Sequence, residues 1–486
     1  MSERSEVHLD FIDGEWVESE GGETFEVRDP ADVEKIRGRF QSSTQGDVDR
    51  AVDAAVEARS KWKNTPGPEC GKILRKTGEL MAESKEELTK ILTIEEGKTL
   101  SEAGGEVQRS IDIFYYYAEK ARELKGEMKA SSKKDRDIYT LKEPLGVVGL
   151  ITPWNYPSAI PAWKLAPALA AGNSAIIKPA SLAPHSCKKI IECLEKAGIP
   201  DGVVNFVTGS GSEVGEAVVT HKEIDAVSFT GSREVGQSVY QKASEDGKRV
   251  QTEMGGKNPT LVMEDAEIEK AVNMISNGAF GVTGQACTAT SRALVHKDIY
   301  DKFVEKMKEK ARSIEVGPGV KDTNMGPQVS EGQLEGTLNH IESGKKEGAK
   351  LVCGGNKLKG GEYSDGHYVE PTVFKDVRPE MKIAQEEIFG PVLSIIKVND
   401  YEEAVQVANY IDYGLSASIV TEDLSKAHRF IEDIESGVAK VNEKTTGLEL
   451  HVPFGGFKDS SSETWREQGD AGLDFYTISK TVYLNY

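Results

Sequence analysis

From Leu145 onward the chain alternates short apolar runs with stretches whose apolar residues recur at helical spacing. Val147 to Ile151 leads into a helical stretch through Trp163 to Ala171, and Ser174 to Ile177 into one from Pro184 to Ala197. Val203 to Val207 precedes a helix near Val214–Val219, and Ile224 to Phe229 precedes one near Val235–Ala243. Val250 to Glu253 closes the series. Unbroken apolar runs of this length fit strands covered on both faces. Their alternation with helices predicts an α/β fold with a doubly wound parallel sheet, which places ligands at the carboxyl ends of its strands.

Ahead of this series, residues 8–17 read as a small hairpin about Asp13-Gly14. Three helical stretches follow, at Val48–Ala58, 69–95 and 101–125. A second α/β unit starts after Gly256. Its strands are expected at Thr260–Met263, Ala293–His296, Val392–Val398, Ser416–Val420 and Val438–Val441, and its helices at 266–280, 299–314, 331–347 and 401–410. The charged 125–143 stretch and the tail Ser479–Tyr486 belong to neither unit. The tail alternates as a strand does, with Thr481, Tyr483 and Asn485 on one face. With no partner evident in the sequence, it is a candidate for pairing between subunits.

At 486 residues the chain calls for two or three domains. No apolar run approaches the roughly 18 residues of a membrane span. The first six residues are polar and acidic, so no secretory leader is expected. Five cysteines without a C-x-x-C pair suit a reducing, cytoplasmic setting. A net charge of −20 argues against nucleic acid as a partner, because phosphate binding needs basic surface. It reads as a solubilising acidic surface, with salt adaptation as the alternative. The eight histidines form no ligand-spaced pair, and no catalytic metal is expected.

Three segments carry candidate chemistry. In Gly284-Gln285-Ala286-Cys287-Thr288 a lone cysteine is bracketed by small residues, the setting of a reactive thiol; a buried structural cysteine is the ordinary alternative. In Glu253-Met254-Gly255-Gly256-Lys257 a carboxylate ends an apolar run and precedes two glycines. It is either a general base or an ion-pair partner. In Pro153-Trp154-Asn155-Tyr156-Pro157 the asparagine is either an amide donor to developing negative charge or a turn former.

These segments, with Glu253 and Cys287 separated by 34 positions, resemble the signature segments of the NAD(P)-dependent aldehyde dehydrogenase superfamily. The likeness runs the length of the chain to Pro453-Phe454-Gly455-Gly456-Phe457-Lys458. Met254 stands where leucine is usual, a swap that conserves volume. The resemblance implies Cys287 as nucleophile, Glu253 as base, and Asn155 with the Cys287 N–H as oxyanion donors. It implies a cofactor site from Trp154, Lys178, Ser181, Gly231, Ser232, Gly236, Glu387 and Phe389. Phe229-Thr230-Gly231-Ser232-Arg233-Glu234-Val235-Gly236 is not G-x-G-x-x-G, yet it joins a strand to a helix whose N-terminal amides would hold a pyrophosphate. Lys178 would contact the adenosine ribose. Ser181 stands where many NAD-preferring relatives carry glutamate, so a 2′-phosphate meets no carboxylate there; NADP is the expected cofactor, with NAD as the alternative. Glu387 would hold the nicotinamide ribose, flanked by Phe389.

The same resemblance implies a dinucleotide-binding domain (1–124 and 144–256), a catalytic domain (257–450), and a small bridging β element (125–143 and 470–486) used in homodimers or homotetramers. Its reaction would run through a thiohemiacetal on Cys287, hydride transfer to the nicotinamide, and hydrolysis of the thioester by water that Glu253 activates. After Lys458 the chain reads Asp459-Ser460-Ser461-Ser462-Glu463-Thr464-Trp465-Arg466. This variant resembles members acting on semialdehydes of sugar-acid breakdown, notably 2,5-dioxopentanoate; a purely structural loop is the alternative. Arg109 or Arg466 would be the residue binding a distal carboxylate. Succinate semialdehyde and broad-range aldehyde oxidation are the alternative activities. A CoA-acylating enzyme is disfavoured because such relatives lack the glutamate at position 253. A non-enzymatic role is disfavoured because Cys287, Glu253 and Asn155 occur together.

Overall fold

The computed structural model describes residues 6–321 and 323–486. The leaderless reading of the N-terminus rests on residues 1–5 and lies outside the described residues. Five parallel strands stand in the order Arg249–Glu253, Ala226–Thr230, Val147–Ile151, Ser174–Lys178, Val204–Phe206. The hairpin Asp10–Ile12/Glu15–Val17 adds two antiparallel strands at the far edge. Chain order reverses between Val147–Ile151 and Ala226–Thr230. At such a switch point the following turns diverge and leave a crevice at the carboxyl ends of the strands.

The helices of this half are α1 (Gln45–Lys63), α2 (Gly67–Glu83), α3 (Lys85–Glu96), α4 (Leu100–Lys120), α5 (Ala159–Ala170), α6 (His185–Lys196), α7 (Glu216–Thr220) and α8 (Arg233–Glu245). Val148, Leu150, Ala175 and Ile177 form one core with α2, α4, α5 and α6. Val147, Ile151, Ile176 and Val227 form another with α1, α7 and α8. Burial on both faces is why these strands read as unbroken apolar runs.

The second sheet also has seven strands, in the order Lys350–Cys353, Thr372–Lys375, Val392–Val398, Thr290–His296, Asn258–Val262, Ser416–Val420, Val438–Val441, with the first pair antiparallel and the rest parallel. Helices α9 (Ile268–Phe280) and α10 (Tyr300–Arg312) pack on its centre.

Several sequence expectations need correction. A hairpin, Thr24–Asp29/Asp32–Gln41, stands between residue 17 and the first helix. Its second strand carries Glu34, Lys35, Arg37 and Arg39 and lies half-solvated, so no apolar alternation marks it. The 69–95 stretch is two helices broken at Ser84, and the next ends at Lys120. The tail has a partner in its own chain: Thr477–Asn485 pairs antiparallel with Arg136–Pro144 over nine residues, and Met128–Lys129 completes a three-stranded sheet. The preceding helix Gly469–Phe475 belongs against the first half, with the Tyr117 hydroxyl donating to Gly469 O at 3.1 Å. Among the described residues no helix is long and apolar enough to cross a membrane.

Candidate active site

The turns leaving Val147–Ile151 and Ala226–Thr230 bound a cavity of about 260 Å³, lined by Trp154, Asn155, Gly231, Ser232, Cys287, Glu387 and Phe389 among others. Elements far apart in sequence thus bring seven of the predicted residues to one surface. Cys287 follows α9 on a loop whose backbone is forced into the left-handed region at Val282 (φ 51°), Thr283 (φ 56°) and Gly284 (φ 69°). A side chain at Gly284 would collide with the Gly390 carbonyl, so glycine is required twice over there. Cys287 is half-buried, whereas Cys70, Cys187, Cys193 and Cys353 are buried. Burial pushes the Cys287 thiol up, and the carboxylates of Glu387 and Glu253 add to the shift. The thiol therefore rests protonated and needs a base to react.

Asn155 is buried, and its Nδ2 donates to Gln285 O at 2.9 Å, two residues before Cys287. That bond uses one amide hydrogen and leaves the second for a ligand. The carbonyl of Cys287 accepts from Asn258 Nδ2 at 2.8 Å. Its N–H donates to no group among the described residues.

Glu253 is buried and does not line the cavity. One oxygen lies 3.5 Å from Gln251 Nε2, and the other has no hydrogen-bond partner among the described residues. Burial, then the neighbouring Glu467, hold its pKa well above the usual carboxylate range, against the pull of Arg466 and Lys164. Behind it the Lys164 ammonium donates to Ser228 Oγ at 2.7 Å and pairs closely with Glu467; the Ser228 hydroxyl donates to Gln251 Oε1 at 2.6 Å. Sequence reasoning missed this polar chain. Lys164 sits inside an otherwise apolar helix, α5, and that was the available signal.

The cavity suits a dinucleotide. Ser232 caps α8 without a side-chain bond to the helix amides, so the N–H groups at that end stay available to a phosphate. A side chain at Gly255 would run into the Glu387 carboxylate, which accepts from Gly256 N at 3.0 Å. Burial raises Glu387 to about 7. Trp154 and Phe389 meet edge-to-face at 5.3 Å. Lys178, Ser181 and Gly236 lie outside the lining. The Lys178 ammonium is buried at the end of its strand, donates among the described residues only to Pro179 O at 3.1 Å, and is lowered to about 8 by desolvation. Ser181 Oγ donates to Gly209 O at 2.7 Å. Gly236 lets α8 close on Met254. Neither predicted arginine is free: Arg109 donates to Leu448 O at 2.6 Å and Gln468 Oε1 at 2.9 Å, and Arg466 is bonded to Gly456 O.

Residues 16–482 match the aldehyde dehydrogenase family. The chain belongs to that family. It is 59% identical over 476 residues to the alpha-ketoglutarate semialdehyde dehydrogenase of Haloferax volcanii, covering 98% of each chain. It is 46% identical over 470 residues to the 2,5-dioxopentanoate dehydrogenase of Saccharolobus solfataricus, covering 96% of this chain and 97% of that one. Its fold matches a betaine aldehyde dehydrogenase of Staphylococcus aureus solved with NAD+, at a TM-score of 0.95 and 36% identity over 98% of this chain and 94% of that one. This aldehyde dehydrogenase is therefore an NAD(P)-dependent enzyme that oxidises small-molecule aldehydes.

Proposed function

We propose that the enzyme oxidises a short semialdehyde bearing a distal carboxylate, 2,5-dioxopentanoate above others, and that it accepts NADP. The observation that carries this reading is a second cleft, of about 510 Å³, bounded by Tyr156 and Ala286, the residues next to Asn155 and Cys287. Lys310 and Lys444 line it, and neither ammonium has a hydrogen-bond or ion-pair partner among the described residues. In a chain of net charge −20, two unpaired cations beside the reacting segment favour an anionic substrate. The names of both relatives support the same compound, since alpha-ketoglutarate semialdehyde is 2,5-dioxopentanoate.

In this mechanism the Cys287 sulfur bonds to the aldehyde carbon and loses its proton to a base. The developing oxyanion is met by the free Asn155 amide hydrogen and the Cys287 N–H. Bound between Trp154, Ser232 and Glu387, the cofactor would supply the hydride acceptor. Glu253, a carboxyl whose pKa burial and Glu467 raise so that it holds a proton more readily than an exposed acid, then deprotonates the water that splits the Cys287 thioester into carboxylate and thiol. The buried Lys178 ammonium and the small Ser181 leave the adenosine end free of carboxylate, which supports use of NADP. Subunit pairing is proposed at the three-stranded sheet, where Ile478, Tyr483, Leu484 and Tyr486 are exposed.

Initial rates across 2,5-dioxopentanoate, succinate semialdehyde, glycolaldehyde and benzaldehyde, each with NAD and NADP, test the substrate. The carboxylated pair should exceed the neutral pair in kcat/KM, with 2,5-dioxopentanoate first. A flat profile would leave the two lysines without a role in recognition.

A further inference from the structure

The junction of α3 and α4 lies outside both cavities, apart from Glu102, yet it reaches both reactive loops. Gly97 (φ 100°) ends α3 in the left-handed region, and Thr99 caps α4 reciprocally with Glu102. Between them Lys98 is fully buried. Its ammonium donates to Glu106 Oε2 at 2.7 Å and to the Asn155 carbonyl at 2.6 Å, and it sits 4.4 Å from the centre of the Tyr156 ring. The other Glu106 oxygen accepts from Ser158 N at 2.8 Å and Ala159 N at 3.1 Å. Lys98 and Glu106 together therefore grip the Asn155–Ala159 turn from end to end.

One turn away, Glu102 Oε2 accepts from Thr99 N and Oγ1, while Oε1 accepts from Val282 N at 2.6 Å. Val282 and Thr283 are β-branched residues in the left-handed region, a strained conformation that persists only where the surroundings impose it. Glu102 is the side chain that holds the first of them. Five residues later comes Cys287.

We propose that Lys98, Glu102 and Glu106 are positioning residues that set the separation of the oxyanion donor Asn155 from the nucleophile Cys287. One helix start holds both loops, and the Asn155–Gln285 bond closes the frame between them. The proposal rests on the roles given above to Cys287 and Asn155. Burial raises the third acid, Glu96, to about 8, so at neutral pH it is protonated and the Lys98–Glu106 pair stands charge-balanced. This explains how Glu96, Glu106 and Lys98 share a dry interior, while Glu102 is half-buried at the wall of the larger cleft.

The test is the acylation burst of p-nitrophenyl acetate without cofactor, which needs the nucleophile, a base for its proton and an oxyanion donor but no hydride acceptor. Glu102→Ala should slow the acylation burst ~10–100-fold, the scale of a misplaced reacting group. Glu102→Gln should stay within about threefold, because its amide oxygen still accepts the Val282 N–H. The Lys98→Met/Glu106→Gln pair removes both charges at once and leaves no lone buried ion. It should slow acylation similarly while leaving iodoacetamide alkylation of Cys287 unchanged, since alkylation uses no oxyanion donor. Folded Glu102→Ala protein acylating at the parental rate would overturn the proposal, as would equal loss in Glu102→Gln and Glu102→Ala. Parental ester hydrolysis in Cys287→Ala would instead sink the nucleophile assignment beneath it.

Discussion

The segment ending in Cys287 separates two cavities of opposite character. On one side Trp154, Gly231, Ser232, Gly255 and Phe389 present aromatic faces, glycines and helix amides, with few free charges. On the other, Lys310, Lys444, Asn277 and Asn324 present charge and amide groups at a larger opening. A cofactor shared across a family asks for backbone shape on the first side. A substrate peculiar to one branch asks for side-chain chemistry on the second. The nucleophile loop belongs to both, so its geometry is fixed by a third region, the start of α4.

The largest effect should come from the proposed base, buried behind the cofactor-side cavity and lining neither opening. Glu253→Gln is expected to cut steady-state turnover by ~10²–10⁴-fold, the worth of a general base, with acyl-enzyme accumulating or forming slowly. Because the Glu253 pKa is raised, the base is lost as pH falls, so the parental rate should climb with rising pH; the variant should lack that limb. Its stability should not suffer. A buried carboxyl with a raised pKa keeps its proton where the unfolded chain has released it, so its ionisation weighs against the folded state as pH rises. Melting of Glu253→Gln at pH 8 should match or exceed the parent. Lower melting there, with an unchanged pH profile, would mean that Glu253 is structural.

The two sides were unequally legible in the sequence. Short motifs revealed the cofactor side because backbone shape demands particular residues: Gly284 cannot carry a side chain, and strands buried on both faces must be apolar throughout. The lysine-lined cleft was not legible. Lys310 lies on the amphipathic helix α10 and Lys444 in a loop, where a lysine ordinarily means a solvated surface. The carboxylate clamp was sought at Arg109 and Arg466, whose guanidinium groups are instead bonded to the chain itself. Lys98 and Glu106 were hidden for another reason. Glu106 lies on the same face of α4 as Ala103, Val107 and Ser110, and only the fold shows that this face covers the Asn155 turn.

A middle-sized effect should isolate the second side. Lys310→Gln and Lys444→Gln should each raise KM for 2,5-dioxopentanoate ~10-fold, and together ~100-fold, the scale of a charge-assisted hydrogen bond apiece. The KM for benzaldehyde and for either cofactor should hold. Equal losses on charged and neutral aldehydes would place the lysines in structure and dissolve the contrast between the two cavities.

The smallest effect should isolate the first side. Ser181→Glu sets a carboxylate at the end of the strand that carries Lys178, where the 2′-phosphate of NADP would approach. At a half-buried, solvated position a like charge is worth little, so the NADP/NAD ratio of kcat/KM should fall by ~3–10-fold. Ser181→Ala separates charge from hydrogen bonding: it loses the bond to Gly209 O without adding repulsion and should keep the parental ratio. Both variants should leave the order of aldehydes untouched, since Ser181 is not among the residues lining the lysine cleft. Raising the salt concentration should shrink the Ser181→Glu shift, because exposed charges are screened within about 10 Å. A ratio unchanged at low salt would mean that the 2′-position of the cofactor lies away from Ser181, and NADP preference would then have to be sought elsewhere around Lys178.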